Sequence, residues 1–112
     1  MIKLQGAFTA MVTPMNPDGS VDYDGLRKNV KFQLEQGIDG LVPLGTTAET
    51  PTLDEDEEDE IIRVVFEEVR AFEKSTGKKI PLVLGAGSNN TRDAVKYCER
   101  AKKAGADAAL VV

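Results

Sequence analysis

Four features of this 112-residue chain could carry chemistry: a threonine pair in a glycine-led loop, nine lysines, a run of seven acids, and a loop rich in glycine, serine and asparagine. The loop Gly45-Thr46-Thr47-Ala48-Glu49-Thr50-Pro51-Thr52-Leu53 is the most informative. Glycine lets backbone approach a ligand, and adjacent threonines offer uncharged hydroxyls and amides suited to a carboxylate or carbonyl oxygen. The bland alternative is a capping loop in which Thr50 or Thr52 satisfies the helix that follows.

The other features are weaker. Asp54-Glu55-Asp56-Glu57-Glu58-Asp59-Glu60 lacks the alternating oxygen ligands and the glycine of a calcium loop. At a helix start such carboxylates oppose the positive end of the dipole, so this run is expected to be a solvated face. Gly85-Ala86-Gly87-Ser88-Asn89-Asn90-Thr91 has neither the lysine nor the glycine spacing of a nucleotide cradle. Thr13 to Gly19 is rich in turn formers and reads as a connection. Histidine is absent, which removes the commonest general base and the usual zinc ligand. A Schiff-base lysine must be desolvated to present a free amine near neutral pH. The lysines fall near the N-terminus, on predicted helices or in helix-to-strand turns, and none lies within a predicted strand.

These residues need a scaffold, and short apolar runs alternating with longer amphipathic segments predict βα units around a parallel sheet. Strand one is expected over Gly6 to Thr13, closed by Pro14. The first helix follows from Val21 to Gln36, with Asp22 as N-cap, Gly37 as stop, and Leu26, Val30, Phe32 and Leu34 as its apolar residues. Strand two is Gly40 to Leu44, weakened on one side by Pro43. The second helix runs from near Leu53 to Ser75, strand three covers Ile80 to Ala86, and the third helix is capped by Asn90 or Thr91. Ala94, Val95, Cys98 and Ala101 form the inner face of that helix, and Ala106 to Val112 is strand four. The expected order is βαβαβαβ. The segments Gly37-Ile38-Asp39 and Gly105-Ala106-Asp107 echo each other at two helix-to-strand junctions.

Composition bounds the partners. The apolar share of 41% fits one globular domain spanning 1–112, while a full (β/α)₈ barrel needs roughly 250 residues. A net charge of -5 argues against nucleic acid or an anionic membrane as the main partner. One cysteine, no signal-like N-terminus and no apolar stretch long enough to span a bilayer lead to a cytoplasmic expectation.

Phe8-Thr9-Ala10-Met11-Val12-Thr13-Pro14, Asp39-Gly40-Leu41-Val42, Gly45-Thr46-Thr47-Ala48-Glu49 and Gly87-Ser88-Asn89 closely resemble the dihydrodipicolinate synthase family over the whole chain. The resemblance implies the N-terminal half of a (β/α)₈ barrel, homotetrameric in most members, in which a strand-six lysine forms a Schiff base with pyruvate. Condensation with aspartate semialdehyde then leads toward lysine. No metal or cofactor is implied. Carried over by position, Thr46 would relay protons between two tyrosines, Thr47 would hold the pyruvate carboxylate, and Ala10 would line the pocket. Thr46 favours the synthase over the sialic-acid (N-acetylneuraminate) lyases, which have serine there; a 2-keto-3-deoxy sugar-acid aldolase is a further alternative.

Ala48 stands where the motif has glycine, which asks for a negative φ or some strain. Asn89 and Asp93 fall where polar ligands of the family's regulatory lysine site are expected, and Glu55 and Glu58 replace histidines often found nearby. The tyrosine-bearing segment, the carboxylate-binding arginine and the Schiff-base lysine would all lie beyond Val112. The expectation is therefore an inactive chain alone, which forms a homo-oligomer, pairs with a missing C-terminal half, or serves as a non-catalytic half-barrel assembly unit.

Overall fold

The computed structural model describes residues 2–112. Four short parallel strands alternate with three helices: β1 (Phe8–Ala10), α1 (Tyr23–Glu35), β2 (Gly40–Val42), α2 (Glu55–Thr76), β3 (Val83–Gly85), α3 (Thr91–Ala104) and β4 (Ala108–Leu110). The β1 and β2 strands pair in parallel from Phe8 opposite Gly40 to Ala10 opposite Val42, and β3 and β4 pair from Val83 opposite Ala108 to Gly85 opposite Leu110. A parallel bridge between Leu41 and Leu82 joins the two pairs, giving the spatial order 1-2-3-4. The predicted βαβαβαβ order is the observed one.

Each strand is shorter than its apolar run. Pro43 and Pro81 lack an N–H and interrupt the ladder, and the Leu82 N–H goes to the Asp107 side chain instead of a neighbouring strand. Alternation along the strands then sorts the two faces. Leu41, Leu82 and Leu84 are fully buried under the helices, while Phe8, Ala10, Val42, Val83, Ala108 and Leu110 line the opposite, open face.

Helix boundaries follow capping chemistry. Asp22 accepts from the Gly25 N–H at 2.9 Å and starts α1. Asp54 and Glu57 form a reciprocal capping box, so α2 begins at Glu55 and not near Leu53. Asn90 caps α3. Gly77 and Gly105 end α2 and α3 in the left-handed conformation, at φ 74° and 87°.

Two apolar helix residues point to solvent, one of them, Val95, against the expectation of an inner face. Leu26, Val30 and Leu34 form the buried stripe of α1 at four-residue spacing, and Phe32 falls on the opposite side and is exposed. On α3, Ala101 is buried and Ala94 and Cys98 are half-buried, but Val95, one residue off that stripe, is exposed. No helix among the described residues is long and apolar enough to cross a membrane.

Candidate functional site

The threonine loop leaves the C-terminal end of β2, the end where parallel α/β folds collect ligands. Backbone geometry launches it. Leu44 is held at φ 57°, a left-handed conformation unusual for a branched side chain, and it is buried in the core. Its carbonyl lies against β3: a Cβ on Gly85 would sit 1.8 Å from the Leu44 oxygen, while the Gly85 N–H donates to Pro43 O at 2.9 Å. Gly85 is therefore the glycine that permits this crossing. Gly45, expected to let the backbone approach a ligand, has an ordinary φ of -81° and room for a methyl group.

Beyond Gly45 the chain makes two 3₁₀ turns, Thr46–Ala48 and Thr50–Thr52. Thr50 Oγ1 donates to Gly45 O at 3.0 Å and Thr52 Oγ1 to Glu49 O at 2.7 Å, so these hydroxyls tie the loop to itself. Neither caps α2, a role taken by Asp54. Thr46 and Thr47 are exposed, and among the described residues neither hydroxyl is committed to a protein partner. The left-handed residue of the loop is Glu49, at φ 58°. Ala48 keeps a negative φ and packs its methyl group inward with 1% exposure, so alanine is accommodated there without strain.

An open cleft of about 600 Å³ lies beside this loop, lined by Thr46, Thr50, Pro51 and Asn89 together with Glu58, Tyr97 and Arg100. Asn89 lies in the cleft; Asp93, half-buried in the first turn of α3, is outside its lining. Thr47 and Ala10 are also outside that lining. Ala10 ends β1, the strand against which the Thr46–Ala48 turn packs. The structure thus brings Thr46 and Asn89 to one cleft, leaves Thr47 exposed outside its lining, and puts Ala10 on the open face of the sheet.

Glu58 corrects the view of the acidic run as a solvated face. It is buried, and Arg100 Nη1 donates to its Oε2 at 2.8 Å from the neighbouring helix. Burial pushes the Glu58 carboxyl above its usual range, and the Arg100 guanidinium opposes that rise. The guanidinium also lies 4.8 Å from the centre of the Tyr97 ring, and its Nε is buried without a partner among the described residues. The rest of the run behaves more as expected: Glu55 pairs with Lys96 and Glu60 with Arg63 at the surface. Sequence reading missed the Glu58–Arg100 pair because its members lie 42 residues apart and only the packing of α3 against α2 joins them.

All nine lysines are exposed. Among the described residues no group of three or more Cys, Asp or Glu side chains is arranged to hold a metal ion.

A sequence profile of the Dihydrodipicolinate synthetase family matches residues 3–112. The chain belongs to this family. Over 109 residues it is 49% identical to the 4-hydroxy-tetrahydrodipicolinate synthase of Bartonella bacilliformis, covering 97% of this chain and 35% of that protein. The counterpart in Maridesulfovibrio salexigens is 48% identical, with 96% and 34% covered. The chain thus spans about a third of the length of the curated relatives it matches. Among solved structures, the chloride-inhibited dihydrodipicolinate synthase from Acinetobacter baumannii complexed with pyruvate superposes with a TM-score of 0.86 at 39% identity, over 97% of this chain and 35% of that one. Membership gives the fold its name: four strands and three helices from the N-terminal half of a (β/α)₈ barrel.

Proposed function

We propose that these residues form part of the substrate site of a pyruvate-dependent Schiff-base aldolase, 4-hydroxy-tetrahydrodipicolinate synthase, which condenses pyruvate with aspartate semialdehyde on the route to lysine. In this reading Thr47 holds the pyruvate carboxylate, Thr46 passes a proton during the condensation, and Ala10 forms the wall of the pocket. The observation that carries it is the division of labour in the loop. Thr50 and Thr52 spend their hydroxyls on loop carbonyls, while Thr46 and Thr47 leave theirs exposed at the strand end. Such uncharged donors suit a carboxylate or developing oxyanion. Asn89, at the cleft, and Asp93 are proposed as polar contacts of a regulatory lysine site.

The nucleophilic amine belongs elsewhere. An amine that attacks a keto acid near neutral pH needs desolvation, and every lysine among these residues is solvent-facing. Incubating the 112-residue chain with pyruvate and borohydride should leave its mass unchanged; a stable adduct on one lysine would refute the assignment. The coding sequence beyond codon 112 gives the second test, since the reading requires a tyrosine-bearing segment and a lysine on a sixth strand. In a polypeptide containing both, Thr47→Val should chiefly raise KM for pyruvate, and Thr46→Val should lower kcat by roughly 10²-fold.

A second reading, as an assembly unit, is supported by the open face and by the outer edges of β1 and β4, which pair with no further strand among the described residues and would suit another copy or a C-terminal half.

A further inference from the structure

We propose that Thr50 is a positioning residue for Thr46: its hydroxyl holds the Gly45 carbonyl, and with it the plane of the peptide from which Thr46 departs; this rests on the proton-passing role given to Thr46 above. The need for such a hold lies in Gly45. Its φ is an ordinary -81° and a Cβ there would meet nothing closer than 3.9 Å, so packing does not fix the dihedrals of this glycine. The peptide before it is wedged, because the Leu44 carbonyl lies against Gly85. The peptide after it, which carries the Thr46 N–H, is held through its oxygen: the Ala48 N–H donates to Gly45 O at 3.1 Å and Thr50 Oγ1 donates to it at 3.0 Å.

These two bonds do different work. The Ala48 N–H belongs to the turn Thr46–Ala48 and moves with it, whereas Thr50 reaches back from the second turn, past the left-handed Glu49, and ties one turn to the other. Thr50 is half-buried at the cleft, where its bond is sheltered from water. Thr52 supplies the internal comparison. Its Oγ1 donates to Glu49 O at 2.7 Å, but this bond is exposed and lies downstream of the turn that presents Thr46. The Thr46 hydroxyl itself has no protein partner among the described residues, so the backbone alone sets where it stands. A reacting group displaced by about 1 Å can lose up to about 10²-fold in rate, so the hold on Gly45 O bears directly on catalysis.

The test is made in the full-length polypeptide. Thr50→Val, which keeps the shape and removes the hydroxyl, should lower kcat roughly tenfold and leave KM for pyruvate within about twofold. Thr50→Ala, which removes the same hydroxyl without a branched side chain, should show the same split, and Thr50→Ser should restore most of kcat. Thr52→Val should keep kcat within about twofold. In a Thr46→Val background, Thr50→Val should cost less than about twofold more, because the group it positions is already gone. Hydrogen exchange at the Ala48 amide, which shares the acceptor, should quicken in Thr50→Val and not in Thr52→Val. Equal losses from Thr50→Val and Thr52→Val, a change confined to KM, an unaltered Ala48 exchange rate, or the full loss persisting in the Thr46→Val background would each overturn the proposal. Impaired Thr46→Val beside unimpaired Thr50→Val overturns it alone, whereas an unimpaired Thr46→Val overturns the catalytic reading and this proposal together.

Discussion

The carboxylate of Asp107 accepts a hydrogen bond from the backbone N–H of Leu82 at 2.9 Å, across the start of β3. The same arrangement recurs 68 positions earlier, where Asp39 Oδ2 accepts from the Ala7 N–H at 2.8 Å beside β1. Both aspartates stand two residues after the glycine that closes a helix turn, Gly105 and Gly37, at φ 87° and 86°. The Gly-x-Asp echo in the sequence is therefore a repeated device: glycine reverses the chain, and aspartate supplies the acceptor that the start of the neighbouring strand lacks. Asp107 is the more enclosed of the two and also draws Lys79 to 3.6 Å.

Removing the Asp107 carboxylate should leave the largely buried Leu82 N–H without a partner. Asp107→Ala is expected to cost about 1–3 kcal/mol in urea unfolding, and Asp39→Ala, at an exposed site, about 0.5–1.5 kcal/mol. Asp107→Asn keeps an acceptor oxygen and should recover a good part of the loss. Equal costs for the two alanine variants would contradict the ranking by enclosure.

The glycines at the mouth give the sharpest contrast. Gly85→Ala would press a methyl group to within 1.8 Å of the Leu44 carbonyl oxygen and 2.8 Å of the Gly45 nitrogen, both backbone atoms that yield only if the loop moves. Gly45→Ala meets nothing closer than 3.9 Å and keeps a φ that alanine accepts. The first should cost about 3 kcal/mol or more and displace the Thr46 and Thr47 resonances in a nitrogen–proton correlation spectrum; the second should stay within about 1 kcal/mol and leave them in place.

Much of this was legible beforehand, and what was not has identifiable causes. Asp22, Gly37, Gly77 and Asn90 act locally, through their own turns, so the helix ends could be read from nearby residues. The loop residues Thr46 and Thr47 stood out by type and neighbourhood alone. Gly85 did not, because its role depends on a carbonyl that is forty-one positions away and arrives only when β2 and β3 lie side by side. Glu58 was hidden in the same manner: seven acids in a row look solvated until Arg100 of α3 is packed over one of them. Val95 was misplaced because apolar character was counted before helical phase.

Stability should respond to pH through Glu73. Burial raises its carboxyl pKa, but the Ile80 N–H, which donates to it at 2.7 Å, together with Arg70 and Lys79, brings it below the ordinary value of 4.5. A carboxylate depressed in the folded state contributes stability that is fully present above the unfolded pKa and lost as pH falls through the folded one. Glu73→Gln should therefore cost about 1–3 kcal/mol at pH 7 and clearly less at pH 3. A cost independent of pH would show that the charged form is not what the site stabilises.

Two adjacent loop positions should respond in opposite directions to the same residue. Glu49 holds φ 58° with an exposed side chain, a conformation that costs an L-residue roughly 1–2 kcal/mol and glycine almost nothing. Glycine also loses about 0.5–1 kcal/mol more backbone entropy on folding, so the net gain from Glu49→Gly should be about 0.5–1 kcal/mol. Ala48 has a negative φ and a buried methyl group, so Ala48→Gly surrenders packing and gains chain freedom in the unfolded state. That change should cost about 1 kcal/mol or somewhat more, although it would restore the glycine usual in the family motif. Thermal unfolding of the two variants side by side decides the matter. A stabilising Ala48→Gly would mean that the left-handed residue of the loop is Ala48 and not Glu49, and would relocate the turn that presents Thr46 and Thr47.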